Sequence, residues 1–389
     1  MKLTFDEDVE AFRSQFRTWL AENRPSDEEM AAEPALSSAH VPGWARRWAR
    51  RMFDDGWLVP GWPPERGGRN ASPIETLVYL EELTLAGVVR TTNPQGLGIV
   101  APSIFDFGND EQIDGYAMPI LRGERSACLG MSEPGAGSDL ASLQTKAVDD
   151  GDAYVLSGQK IWTSFAHLAD YCYLVARTNP DVPKHKGISE FLVDMRTPGI
   201  TIKPIVDMTG AHHFNEVFFD QVRIPKDCLV GEKDRGWYQI ASQLDYERSG
   251  IERLMSNYPI LGAITRYVQE TGQIQRELVR HRLAQLHIEF TMGRFLVYKV
   301  AWLLTQGVVP NAESAAAKAY CTEFEQRLAQ AASELMGGYG QLLPGSHRAR
   351  LHGRIARAYL YAPAYTIQGG TSTILRNIIA TRGLGLPPG

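Results

Sequence analysis

The chain has 389 residues, of which 44% are hydrophobic and 22% charged, and its formal net charge is −5. This balance supplies a sizeable core for two or three domains and offers no basic surplus for nucleic acid or an anionic membrane. No apolar run nears the ~18 residues of a membrane span, and Cys128, Cys172, Cys228 and Cys321 form no CxxC pair, which indicates reduced thiols in a cytoplasmic protein.

The start, MKLTFDEDVEAFRSQF, is acidic and amphipathic, unlike a secretory signal. Phe12, Phe16, Trp19 and Leu20 recur at the three- and four-residue spacing of one buried helix face. Pro25-Ser26-Asp27 then breaks the chain and opens the next element. Trp44, Trp48 and Met52 predict another helix, followed by a loop over 61–68. Further helical stretches are expected at 73–90 and 110–121. From about residue 126 the texture changes to short strands at 154–156, 171–176, 191–194, 200–206 and 216–224. Turn chemistry separates them, as at Asp149-Asp150-Gly151-Asp152 and Thr197-Pro198-Gly199, which indicates a β-barrel or sandwich. Helical texture returns at Gly236 and holds to the end, with Ala-, Leu- and Arg-rich stretches at 274–305 and 312–336.

Neither G-x-G-x-x-G nor G-x-x-x-x-G-K-[ST] occurs in a suitable context, so a Rossmann or P-loop site is unsupported. Gly130-Met131-Ser132 continues as Glu133-Pro134 and fails as a nucleophile elbow. The histidines form no H-x-x-x-H pair, so no metal site is expected, and His212-His213 reads as a polar surface doublet. The most informative segment runs from Gly130 through Met131-Ser132-Glu133-Pro134-Gly135-Ala136-Gly137-Ser138-Asp139-Leu140-Ala141 to Ser142. Gly135 and Gly137 permit φ > 0 and close backbone approach, and Ser132 and Ser138 offer hydroxyls. Taken alone, such a run is an ordinary turn.

This run resembles the first signature of the acyl-CoA dehydrogenase family at every constrained position, and the helix–β–helix plan covers essentially the whole chain. The resemblance implies an α+β multidomain fold. Its parts are an N-terminal α-helical domain over 1–124, a central β-barrel domain over 125–232 and a C-terminal four-helix bundle over 233–389. It implies FAD as cofactor, lined by Leu129, Met131, Ser132 and Gly137, with Ser138 near both the flavin pyrophosphate and coenzyme A. Gly158-Gln159-Lys160-Ile161-Trp162-Thr163-Ser164 is similar to the family's second flavin segment. There Trp162 stacks on the ring system and Thr163 and Ser164 meet its polar edge. A third match, Ile367 to Ile379, implies flavin contacts from Thr371 and Thr373.

Many family members carry the catalytic Glu in that last loop, where this sequence has Gly369. Some branches place the base on a helix after the β domain, in a segment resembling Leu244-Asp245-Tyr246-Glu247-Arg248. The resemblance therefore implies Glu247 as base, with Asp245 and Arg248 at the acyl-CoA; Glu252, about 140° around the helix, is the weaker candidate. Gly369 retains an N–H, expected to stabilise the thioester oxyanion. The implied reaction is α,β-dehydrogenation of an acyl-CoA, with electrons passed to an electron-transfer flavoprotein.

Most homotetrameric members also carry Arg-x-x-Phe-Gly, reaching a neighbouring subunit's flavin diphosphate. Here the corresponding region reads Arg266-Tyr267-Val268-Gln269-Glu270-Thr271-Gly272-Gln273, and Glu334 stands where the family often has Gln. Such losses resemble a heteromeric α2β2 branch acting on steroid side-chain and other bulky acyl-CoAs, which implies a second acyl-CoA dehydrogenase-like subunit as partner. The alternatives are a homo-oligomer anchored by Arg276 or Arg280, a non-catalytic structural subunit, and an oxidase-like flavoenzyme.

Overall fold

The computed structural model describes residues 5–33, 41–247 and 251–387, with backbone alone at 242–247, 251–253, 256 and 257. Before the sheet come α1 (Glu7–Asn23), α2 (Asp27–Ala32), α3 (Gly43–Asp54), α4 (Pro73–Leu85), α5 (Ala101–Phe107), α6 (Asp110–Gln112) and α7 (Met118–Leu121). The strands are β1 (Ala127–Gly130), β2 (Lys146–Asp149), β3 (Ala153–Lys160), β4 (Tyr171–Arg177), β5 (Ile188–Asp194), β6 (Ile200–Val206), β7 (His212–Pro225) and β8 (Leu229–Val230). After them come α8 (Gly236–Glu247), α9 (Ile251–Glu270), α10 (Glu277–Thr305), α11 (Asn311–Met336), α12 (Arg354–Tyr365) and α13 (Ser372–Ile378).

The helix faces follow the sequence spacing. Phe16 and Leu20 are buried on α1, and Trp44, Trp48 and Met52 on α3. Ser26 caps α2 by accepting from the Glu29 N–H, satisfying one of the donors a helix start leaves open. Ser72 and Glu75 close a reciprocal capping box on α4. The stretch 110–121 is helical, with a π-turn over Ile113–Ala117 between α6 and α7.

The residues group into two compact units. In the first, α1 and α4 belong with the C-terminal helices. Leu77 of α4 shares a core with Leu261, Ile264 and Val268 of α9, Leu283 and Val297 of α10, and Phe324 and Leu328 of α11. Two carboxylates of α4 are buried and paired: Glu82 accepts from Arg17 at 2.6 Å, and Glu81 takes Arg294 in a two-point grip at 2.6 and 2.9 Å. A planar guanidinium suits that geometry, and pairing is what makes burial of a carboxylate tolerable.

The second unit holds the sheet, ordered β6-β7-β3-β2-β4-β5-β8 with β1 on β4. Most pairs are antiparallel, while β1 lies parallel to β4 in the register Ala127↔Tyr171 to Gly130↔Leu174. Leu156, Leu174, Phe191, Val193, Val217 and Val222 form its core, the inward half of an alternating pattern. Cys128, Cys172, Cys228 and Cys321 are all unbridged and buried. Among the described residues, no helix is long and apolar enough to cross a membrane.

Candidate functional site

In the sheet-bearing unit, the two segments singled out by sequence lie side by side. β3 ends at Lys160, and the Ile161 N–H donates to the Ser132 carbonyl at 2.9 Å. Lys160 is wholly buried, and its Nζ donates to the Met131 carbonyl at 3.0 Å and to Glu133 Oε1 at 2.9 Å. The same carboxylate accepts from the Gln144 N–H at 2.6 Å and the Thr145 N–H at 2.8 Å. Burial works to raise the Glu133 carboxyl, but Lys160 and these N–H groups outweigh it and hold it below the usual carboxylate value. The pair is thus a rivet through the base of the 130–138 loop. Glu133 and Ala136 close the loop with mutual main-chain bonds of 2.9 and 3.1 Å.

Leu129 lies on β1 opposite Tyr173, and Met131 packs beside Ala136 and Leu143. Ser132 is half-buried, while Gly137 and Ser138 are exposed. One expectation is corrected here: neither Gly135 nor Gly137 has positive φ. A Cβ on either would meet nothing within 4 Å, so the fold itself does not require glycine there. What the two residues provide is bare, exposed main chain that another molecule can approach closely.

Beyond Lys160 the chain turns sharply. Trp162 and Phe165 both take the left-handed conformation, at φ +59° and +57°, uncommon for bulky residues. The Trp162 indole is 55% exposed and meets Phe214 edge-on at 5.8 Å. Next to it Thr163 is 1% exposed, yet among the described residues its hydroxyl has no hydrogen-bond partner. A buried hydroxyl left unpaired costs about 1–3 kcal/mol. An exposed aromatic face beside an unpaired buried hydroxyl fits a planar heteroaromatic group with polar ring atoms, and a flavin is such a group. Ser164 is half-buried beside them.

The His212-His213 doublet is also corrected, because it is no surface feature. His213 is 9% exposed and pairs through Nδ1 with Asp207, and His212 stacks on His167 with centroids 3.8 Å apart. Burial, with His212 alongside, holds His167 below its ordinary imidazole value. Among the described residues, no group of three His, Cys, Asp or Glu is arranged to hold a metal ion.

In the other unit, the C-terminal loop between α12 and α13 has Gly369 at φ +64° and Gly370 at φ +97°. Lys318 of α11, 1% exposed, donates through Nζ to the Gln368 carbonyl at 2.6 Å and also to the Gly370 carbonyl. Two carbonyls flanking Gly369 are thereby turned onto one ammonium. Among the described residues the Gly369 N–H donates to no acceptor. Thr371 caps α13 by accepting from the Ile374 N–H at 3.2 Å, and Thr373 is exposed. Lys318 carries no local signal in the Ala-rich α11.

Glu334 lines a cleft of about 430 Å³ with Gln330, Ser333, Gly340, Gln341 and Tyr359. Gln330 donates to Glu334 at 2.9 Å, and Arg282 stands 3.9 Å away. Arg280 is spent on main-chain carbonyls, donating to Gln275 at 2.7 Å and Ile274 at 3.3 Å, whereas Arg276 is exposed. Asp245 and Glu247 lie on the backbone of α8, their side chains outside the described residues; Arg248 lies wholly outside them, as does the Glu252 side chain.

Family models match nearly the full length of the chain: acyl-CoA dehydrogenase N-terminal domain over 6–124, middle domain over 128–222 and C-terminal domain over 234–384. Acyl-CoA dehydrogenase IpdE1 of Mycobacterium tuberculosis is 35% identical over 388 residues, covering 98% of each chain. Among solved structures, the Tcur3481-Tcur3483 steroid ACAD aligns with a TM-score of 0.88 at 32% identity, covering 100% of both chains. The ChsE4-ChsE5 complex from Mycobacterium tuberculosis gives 0.85 at 31% identity, again covering 100% of both.

Proposed function

The chain belongs to the acyl-CoA dehydrogenase family, oxidoreductases acting on CH–CH bonds, and from that premise we propose that it is the base-bearing subunit of an FAD-dependent heteromeric dehydrogenase. The observation that carries the proposal is the exposed Trp162 indole beside the buried Thr163 hydroxyl, which has no partner among the described residues. Ser132, joined to this segment through the Ile161 N–H, is assigned a hydroxyl contact to the same cofactor. Leu129, Met131, Gly137, Ser138 and Ser164, with Thr371 and Thr373, complete the residues assigned to the cofactor. Bound there, FAD supplies the acceptor for the hydride that leaves Cβ.

Glu247 is the proposed base. Its carboxylate takes the α-proton, and the electrons of that C–H bond form the new double bond as hydride leaves the β-carbon. Asp245 and Arg248 are assigned to the acyl-CoA, and Ser138 to its coenzyme A portion. The Gly369 N–H, free of an internal acceptor among the described residues, is assigned to the developing thioester oxyanion. Lys318 supports that role, because an ammonium bound to the neighbouring carbonyls keeps them from opposing negative charge. An electron-transfer flavoprotein is the proposed redox partner.

The heteromeric part rests on what is missing and on the neighbours. Arg-x-x-Phe-Gly is absent from the sequence, Glu334 sits in the cleft next to the Gly-Gly-Tyr-Gly turn, and Arg280 is engaged by its own loop. Two similar solved structures carry paired chain names, one of them described as a steroid ACAD, which supports a bulky, steroid side-chain acyl-CoA as substrate. The experiment is the flavin content of the purified chain, alone and co-expressed with a neighbouring dehydrogenase-like gene product. About one FAD per pair and little on the lone chain supports the proposal; full flavin on the lone chain refutes its heteromeric part. A second reading, a structural subunit without catalysis, is favoured by Gly369 in place of the usual Glu, and an active assembly silenced by Glu247→Gln would exclude it.

A further inference from the structure

Asn215 is wholly buried near the start of β7. Its main-chain carbonyl accepts from the Thr163 N–H at 3.1 Å, and its Nδ2 donates to the Thr163 carbonyl at 3.0 Å. Both main-chain groups of Thr163 are thereby taken by one residue. Two positions along each segment, the Phe165 N–H donates to the His213 carbonyl at 2.8 Å. These bonds fix the amide: with Nδ2 turned to a carbonyl, Oδ1 faces His212 Nε2 at 2.7 Å, so that nitrogen carries the proton. His212 is itself braced, its ring lying within 12° of parallel to that of His167.

The residues flanking Thr163 need such a clamp. Trp162 and Phe165 are both left-handed, a conformation that a Cβ disfavours. Strained backbone of this kind persists where its surroundings over-determine it, and it concentrates at functional sites. The exposed Trp162 ring cannot fix its own backbone, because half of it faces solvent. We infer that Asn215, braced by His212, is a positioning residue for the flavin site. By holding both main-chain groups of Thr163, it sets the left-handed turn at Trp162 and directs the indole face and the Thr163 hydroxyl to the cofactor. This rests on the flavin reading above.

The test uses the flavin-loaded assembly isolated after co-expression with the partner subunit. Asn215→Asp keeps the size of the side chain and its bond to His212, but it places a carboxylate against the Thr163 carbonyl. FAD dissociation is expected to rise about tenfold or more. The visible flavin band should change shape, while the far-UV circular dichroism stays that of the wild type. His212→Phe keeps a stacking ring and removes only the brace, and a smaller loss with the same band change is expected. Wild-type affinity and band shape in folded Asn215→Asp would overturn the inference, as would a lowered melting temperature with no spectral change. If Asn215→Asp does not fold, the same two readings on His212→Phe decide. Absence of flavin from the co-expressed wild-type pair would instead refute the flavin reading, so the two failures are distinct.

Discussion

Replacing Lys160 by Met tests whether the Glu133 rivet holds the site together. The substitution keeps an unbranched side chain one atom shorter but removes two hydrogen bonds, to Glu133 at 2.9 Å and to the Met131 carbonyl at 3.0 Å. It leaves a carboxylate of 7% side-chain exposure without its ion-pair partner. Breaking a buried ion pair from one side costs about 3–5 kcal/mol. The two N–H groups still bound to Glu133 place the loss near the lower end, about 3 kcal/mol. The double variant Glu133→Gln/Lys160→Met should lose less than the sum of its single variants, because no charge is then left unpaired. Denaturant midpoints followed by far-UV circular dichroism measure the stability term. Flavin content follows the consequence, since the 130–138 loop loses the Lys160 bonds and is left held to the Trp162 segment through the Ile161 N–H and the Ser132 carbonyl. A loss below about 1 kcal/mol in Lys160→Met, or strict additivity in the double variant, would refute the reasoning.

Thr163→Val should separate fold from function by sign: the flavin-free protein keeps its stability or gains up to about 1 kcal/mol, while FAD binds several-fold more weakly. Unchanged FAD affinity would show that the unpaired hydroxyl is not directed at the cofactor. His167 gives a pH dependence. Its folded value lies below the ordinary 6.5, so the unfolded chain binds the proton more readily and stability falls as pH drops below about 6.5. A melting temperature flat from pH 7 to pH 5, or an acid-side slope unchanged in His167→Phe, would contradict this; the ordinary imidazole value sets the window.

The sequence made some of this plain and hid the rest for physical reasons. Periodicity located α1 and α3, because their apolar residues recur at helical spacing, and Ala-, Leu- and Arg-rich composition located the long α10 and α11. It did not reveal that α1 and α4 pack with the C-terminal helices, since an amphipathic face says that it is buried but not against what. β1 and β2, of four residues each, were missed; β2 is mostly exposed and polar, too short for alternation to register. The two flavin-type segments were legible as motifs. Their supports were not, because each joins residues distant in sequence: Lys160 to Glu133 across 27 positions, Asn215 to Thr163 across 52 and Lys318 to Gln368 across 50. Gly369 was legible as a missing carboxylate, whereas its left-handed backbone, and an N–H with no acceptor among the described residues, emerged only with the fold.

The most direct test of the central claim is anaerobic mixing of the purified, flavin-loaded assembly with a steroid side-chain acyl-CoA, followed at the visible flavin band. Bleaching of that band in the wild type, slowed by about 10²–10⁴-fold in Glu247→Gln at unchanged flavin content, is the predicted result for loss of a catalytic base. Bleaching at the wild-type rate in Glu247→Gln would contradict the account and place the base elsewhere.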